Sequence, residues 1–498
     1  MTHPVALRSL VGGTWVDPDG PELVDLDPAR PGEVVATGHL AGACEIEEAV
    51  RAAVRAAPTW AATPFPVRGD ILARAAAVLD ARADEWGTEL CREEGKTRAE
   101  GVGEVRRAAE ILRYHGSAGL RPVGEVYASP RPDEQIQVVR RPVGPVAVVT
   151  PFNFPIAIPA WKIAPALAYG NPVVWKPASA VPLLAMRLAE ALVEGGLPPG
   201  VLSLLLIGNT DAPALLEHPG IRRVTFTGST VVGRRIIARC GELARPVQTE
   251  MGGKNAAAVL ADADLDLAVD QVVAGAFRST GQKCTATSRV VVTESVADEF
   301  LDRLGRRVAA IRVGDPTLDG TDMGPLVSPA ARDDVHAAVE AATGRAGVRV
   351  RCGGTRYTDE RADGAYLPPT VVELDGDDPL WRDELFGPVL AVRRAATDHE
   401  ALRLVNDSVF GLSAAVFTNG LDAVAAAVAT LDVGVLHVNS ETAGADPHVP
   451  FGGAKESGFG PKEQGVAARE FFTTTTTVYL RPARPLTAVP DRGDEPCP

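Results

Sequence analysis

Phe277-Arg278-Ser279-Thr280-Gly281-Gln282-Lys283-Cys284-Thr285-Ala286-Thr287-Ser288-Arg289 sets one cysteine in small, polar, glycine-containing surroundings. Apolar residues precede it from Leu267 to Phe277, and a β-branched run follows from Val290 to Thr293. The pattern predicts a helix that ends in a loop and then a strand. A thiol on such a loop is accessible. Lys283 and Arg289 flank it, and cations that reach it in space would favour the thiolate. A lone cysteine is more often a small buried hydrophobe. Two other stretches shift that balance: Thr249-Glu250-Met251-Gly252-Gly253-Lys254 and Thr150-Pro151-Phe152-Asn153-Phe154-Pro155.

Outward from the cysteine, short β-branched runs recur from Pro145 to Met251 at intervals of roughly 25 residues, the scale of a βαβ unit. They are Val146–Thr150, Val173–Trp175, Val201–Leu206, Arg223–Phe226 and Val247–Met251, with helical stretches such as Pro182–Glu194 and Thr230–Arg239 between them. This alternation argues for a parallel, doubly wound sheet that binds ligands at the carboxyl ends of its strands. A second alternation, Asn255 to Val438, predicts a second α/β domain. Glu45 to about Gly116 reads as helical scaffold, with Glu93, Glu94 and Lys96 as a solvated face. Gly12 to about Gly42 reads as a small β-meander. Pro122 to Pro142 is a proline-punctuated hairpin with a strand at Gln135 to Arg140. The run Phe471 to Leu480, rich in threonine, is so β-prone that an exposed edge would aggregate, so a partner strand is expected. Pairing within the chain itself is the other option.

The chain has 498 residues, enough for two or three domains. Its hydrophobic (46%) and charged (23%) fractions are those of an ordinary globular protein. A formal charge of −14 has the wrong sign for a nucleic-acid or anionic-membrane binder. No apolar run approaches the ~18 residues of a membrane span, and no signal peptide is read. Six scattered cysteines lack metal-like spacing and suggest a reducing cytoplasm. No metal is expected.

Together, the stretches around Cys284, Glu250 and Asn153 resemble the aldehyde dehydrogenase superfamily, over about Trp15 to Tyr479. The resemblance implies a Rossmann-type cofactor domain (1–121 and 143–253, with part of 441–470) and an α/β catalytic domain (254–440). It also implies a β-hairpin oligomerisation element (122–142 and 471–486), followed by a tail (487–498). A homodimer or homotetramer is expected. For the cofactor, Phe226-Thr227-Gly228-Ser229-Thr230-Val231-Val232-Gly233 follows a strand and opens a helix. On the residues alone, this turn is as readily a cap by Ser229 or Thr230 as a phosphate site. It is similar to the family's phosphate turn, which assigns Gly228, Ser229 and Gly233 to NAD or NADP. Thr150, Pro151, Phe152, Met251 and Gly252 join them by resemblance. Lys176 is expected at the adenosine ribose. Ser179 stands where NAD-preferring members often carry a glutamate, so NADP should be accepted as well as NAD. Glu384 and Phe386 match the segment that holds the nicotinamide ribose and ring; otherwise Glu384 reads as a surface carboxylate.

The chemistry implied is oxidation of an aldehyde to an acid. Cys284 would be the nucleophile, and Asn153 with the Cys284 N–H the oxyanion donors. Glu250 would be the base that activates water, unless it merely pairs with Lys254. Lys162 would support the site electrostatically. Phe154, Ala157, Ile158, Trp161, Arg278 and Phe451 are expected to line the substrate channel. An arginine six residues before the cysteine resembles the carboxylate-binding arginine of succinate semialdehyde dehydrogenases, and its fork suits a carboxylate. It could instead cap the helix end. The cysteine loop and Asn439-Ser440-Glu441-Thr442-Ala443-Gly444 are also similar to α-ketoglutaric semialdehyde dehydrogenases. The alternatives are the same chemistry on an aliphatic or aromatic aldehyde, a catalytically inactive member of the fold, or a simple thiol hydrolase.

Overall fold

The computed structural model describes residues 3–121 and 124–483. The expected tail, 487–498, and the end of the 471–486 segment lie outside them, as does Cys497. Four helices come first: α1 (Ala43–Ala62), α2 (Phe65–Ala81), α3 (Ala83–Glu94) and α4 (Arg98–Gly116). Pro64 precedes α2, and Gly95, at φ 92°, ends α3 in the left-handed conformation that glycine adopts without cost.

The first large sheet is built on five parallel strands: β1 (Val146–Val149), β2 (Val173–Lys176), β3 (Leu202–Leu204), β4 (Arg223–Thr227) and β5 (Val247–Glu250). Their spatial order is β5-β4-β1-β2-β3. The crossovers carry α5 (Ala157–Ala168), α6 (Pro182–Glu194), α7 (Ala212–Glu217) and α8 (Thr230–Glu242). Chain direction across the sheet reverses between β1 and β4, the switch point where such sheets bind ligands. Alternate residues of β1 bury into opposite cores, Val146 and Val148 into one and Ala147 and Val149 into the other. Both faces are therefore covered, which explains why these strands read as continuous apolar runs.

A second sheet of seven strands spans residues 256–438, with α9 (Leu265–Phe277) following its first strand and only the Val348–Cys352 edge antiparallel. Its Ala256–Val259 strand splits in the same way between two cores. The run Thr473–Leu480 pairs along its whole length with Gln135–Pro142 of the same chain, next to Gly124–Ala128. Its partner strand is thus internal.

Two expectations are corrected. The N-terminal strands are not a self-contained meander. Ser9–Val11 and Thr14–Val16 extend the first sheet through the pairing of Leu10 with Leu204, while Glu22–Leu26 and Val34–His39 form a separate sheet with Val5–Ala6. Buried Leu10 and Val11 match the apolar edge they cover. Nor are Glu93, Glu94 and Lys96 solvated: all three are buried. Glu93 accepts the amides of Leu183 and Leu184 at the start of α6, and Lys96 pairs with Glu104 at 2.6 Å. These partners offset the cost of burying Glu93 and Lys96.

Candidate active site

Three loops meet at the carboxyl ends of the strands. The first leaves β1 at Thr150 and reaches α5 through Asn153. The second follows Glu250, the last residue of β5. The third joins α9 to Cys284 through a turn in which Ser279 (φ 53°), Thr280 (φ 55°) and Gly281 (φ 70°) are left-handed. The Ser279 amide donates to Glu100 at 2.7 Å, and the Thr280 hydroxyl donates to the Gly324 carbonyl at 3.0 Å, which holds the turn. A Cβ on Gly281 would lie 2.3 Å from the Gly387 carbonyl oxygen, so the position requires glycine.

A cleft of about 890 Å³ is lined by Phe152, Asn153 and Cys284 together with Lys176, Gly228 and Ser229. Thr150, Pro151, Met251, Gly252, Glu384 and Phe386 also face it. Two expected cofactor residues do not. Ala178 lines the wall in place of Ser179, and Gly233 lies on the buried face of α8, where a Cβ would meet Met251 Sδ at 2.4 Å. Gly233 therefore lets the helix pack on β5.

Cys284 is half-buried. Burial, and then the charges of Glu384 and Glu250, push its thiol up to about 12. The cations expected to activate it are engaged elsewhere, which corrects that reading. Lys283 faces Glu441 at 3.5 Å and the Ala274 carbonyl, and Arg289 donates to the carbonyls of Lys254 and Val405. The backbone N–H groups of Thr285 and of Cys284 itself favour the thiolate. Asn153 is buried and donates through Nδ2 to the Gln282 carbonyl at 2.9 Å, two residues before the cysteine.

Glu250 makes no ion pair with Lys254. Its Oε2 accepts the Gly453 amide at 3.0 Å, and a Cβ on Gly452 would lie 2.3 Å from Oε1. Burial and the neighbouring Glu463 raise its carboxyl to about 8, against the opposing pull of Lys162 and Lys462. Lys162 is buried, paired with Glu463 and 3.0 Å from the Thr225 hydroxyl. Glu384 is also raised by burial, and its Oε1 accepts the Gly253 amide at 3.0 Å. Phe386, left-handed at φ 56°, meets Phe152 edge to face with centroids 5.7 Å apart.

Of the expected channel residues, Trp161 and Phe451 stack at 5.4 Å, Phe154 lies under Lys96, and Ile158 is fully buried. Arg278 is mostly exposed and touches Glu441 at 3.4 Å. None of these five lines the 890 Å³ cleft. Sequence reasoning missed Lys96, Glu100, Glu104, Lys462 and Glu463. Each is a charged residue outside any motif, and only its position in the folded chain brings it to the site.

The cleft fits a dinucleotide on its own terms. Lys176 is buried, and its ammonium donates to the Pro177 carbonyl with no carboxylate partner among the described residues, so its pKa falls to about 8. Ser229 caps α8, and it lines the cleft beside Gly228 at the N-terminus of that helix, the end that favours an anion.

The aldehyde dehydrogenase family model matches residues 15–478. The chain belongs to the aldehyde dehydrogenase family. It is an oxidoreductase that oxidises an aldehyde with NAD(P). It is 37% identical over 97% of its length to an α-ketoglutaric semialdehyde dehydrogenase of Bacillus subtilis, covering 99% of that protein. With an α-ketoglutarate semialdehyde dehydrogenase of Haloferax volcanii it shares 39% identity, over 96% of this chain and 99% of the other. A solved betaine aldehyde dehydrogenase from Staphylococcus aureus, in complex with NAD+, superposes with a TM-score of 0.92 at 30% identity, over 97% of this chain and 96% of that one. Aldehyde dehydrogenase architecture thus accounts for both sheets and for the cleft between the three loops.

Proposed function

We propose that this aldehyde dehydrogenase converts a semialdehyde with a distal carboxylate into the corresponding diacid by covalent catalysis at Cys284. With its thiol held near 12, Cys284 gives up its proton to solvent as its sulfur attacks, and Glu250 is kept for the later hydrolysis. The sulfur adds to the aldehyde carbon, and the oxyanion is met by Asn153 Nδ2–H and the Cys284 N–H. NAD(P), held by Lys176, Gly228 and Ser229, would supply the hydride acceptor, and loss of the hydride from the adduct carbon would leave an acyl thioester on Cys284. Glu250 then removes a proton from water, which attacks the thioester and returns the thiol. Lys162 and Lys462 oppose the charge of Glu463 and keep Glu250 from being protonated more firmly.

The substrate class is carried by Arg278, an exposed guanidinium just past the helix that leads to Cys284, held only at 3.4 Å by Glu441. The names of the relatives support the same class. Arg278→Ala should raise KM sharply for α-ketoglutaric and succinate semialdehydes and little for hexanal. An equal rise for all three would contradict the carboxylate reading. Ser179, although it does not line the cleft, is next to Ala178, which does, and it brings no charge against a 2′-phosphate there, which supports use of NADP as well as NAD. The β-prone run Thr473–Leu480, edge-exposed on the side away from Gln135–Pro142, supports a homo-oligomer. Five unpaired described cysteines support a reducing, cytoplasmic setting. Among the described residues no helix is long and apolar enough to cross a membrane.

A further inference from the structure

The Asn153 loop is held from behind by a buried ion pair. Lys96 donates to the backbone carbonyl of Asn153 and to Glu104 Oε2 at 2.6 Å, and its ammonium lies 3.8 Å from the Phe154 ring centre. Glu104 Oε1 accepts the amides of Ile156 at 3.1 Å and Ala157 at 3.2 Å. Those amides begin α5, which has no side-chain cap of its own. Glu104, from another helix, takes that place. One turn earlier on α4, Glu100 accepts the Ser279 amide in the turn before Cys284. Residues 100 and 104 share a helix face, so one face of α4 holds both the oxyanion loop and the cysteine loop.

A buried ion pair adds little stability over well-packed apolar side chains of the same volume. Both charges here are directed at backbone groups of residues 153–157, and the bonds fix geometry at the oxyanion loop. We infer that Lys96 and Glu104 are positioning residues that set where the Asn153 amide stands relative to Cys284. The inference rests on Asn153 being an oxyanion donor. Misplacing such a group by about 1 Å costs on the order of 10²-fold in rate.

A double-mutant cycle on the full-length enzyme tests it, with turnover measured at saturating aldehyde and cofactor. Asn153→Ala should lower kcat by ~10²–10³-fold. Glu104→Gln keeps size and an acceptor oxygen but removes the charge that holds Lys96. It should lower kcat about tenfold or more, with KM for the aldehyde and affinity for the cofactor within about twofold of wild type. The combined variant should be no slower than Asn153→Ala alone, because Glu104 acts through Asn153. If the two losses multiply, or if Glu104→Gln raises KM and leaves kcat intact, the positioning role is overturned while the oxyanion reading survives. If Asn153→Ala turns over normally, both are overturned. Should Glu104→Gln fail to fold, Lys96→Gln breaks the same contact from the other side. In the same cycle it should show the same loss of kcat and the same lack of further loss on top of Asn153→Ala, and multiplying losses would again overturn the positioning role.

Discussion

Replacing Glu250 with glutamine removes the base and keeps the shape of the side chain. Burial and Glu463 hold the native carboxyl near 8. At pH 7 about a tenth of the molecules therefore carry the carboxylate, and at pH 9 about nine-tenths. A turnover step that needs the carboxylate should quicken about tenfold across that interval and then level off. The thiol alone would behave differently. Held near 12, it would gain thiolate about a hundredfold over the same two units, with no plateau. The assay is kcat at saturating aldehyde and NAD(P), read from nicotinamide absorbance between about pH 6 and 10. Glu250→Gln should lose ~10²–10⁴ in kcat and lose the plateau near 8. If the variant keeps the wild-type pH profile, or if the wild type is flat from pH 7 to 9, Glu250 is not the base.

The raised carboxyl also makes stability depend on pH. A carboxyl raised from 4.5 to about 8 keeps its proton in the folded chain while the unfolded chain has lost it. Its stabilising effect is complete below 4.5 and is lost as pH rises through 8, with an upper limit of about 5 kcal/mol. Chemical denaturation of Glu250→Gln should therefore decline less between those values than wild type; an equal decline would refute the shift. Ser179→Glu should depress kcat/KM with NADP by about tenfold or more relative to NAD, through charge repulsion of the 2′-phosphate, and an unchanged ratio would remove Ser179 from specificity. Gly281→Ala should cost about 2–4 kcal/mol of unfolding free energy, because its Cβ would strike the Gly387 carbonyl in a left-handed residue. A melting temperature within a degree or so of wild type would contradict that.

The parts of the fold legible in the sequence were those whose signal is local. Val146–Thr150 and Arg223–Phe226 announce themselves because strands buried on both faces are apolar without interruption, and the observed strands differ from them by one residue. Cys284, Asn153 and Glu250 were legible through their glycine- and proline-marked surroundings, and the structure brings the loops that carry them together. What failed was whatever depended on a distant partner. Glu93 and Lys96 looked solvated because the amides of Leu183 and Leu184 and the carbonyl of Asn153 are far away in the chain. Lys283 and Arg289 sit beside the thiol in sequence, yet backbone direction turns them to Glu441 and to the carbonyls near Val405. Adjacency along a loop does not set which way a side chain leaves it.

The most direct test of covalent catalysis is the mass of the Cys284 peptide from Glu250→Gln after incubation with α-ketoglutaric semialdehyde and NAD+. Without the base for hydrolysis, an acyl group should accumulate on Cys284, and reduced nicotinamide should form in about a one-to-one ratio with it. An unmodified Cys284 peptide from an enzyme that still turns over, or an acyl group on a different residue, would contradict covalent catalysis at this cysteine.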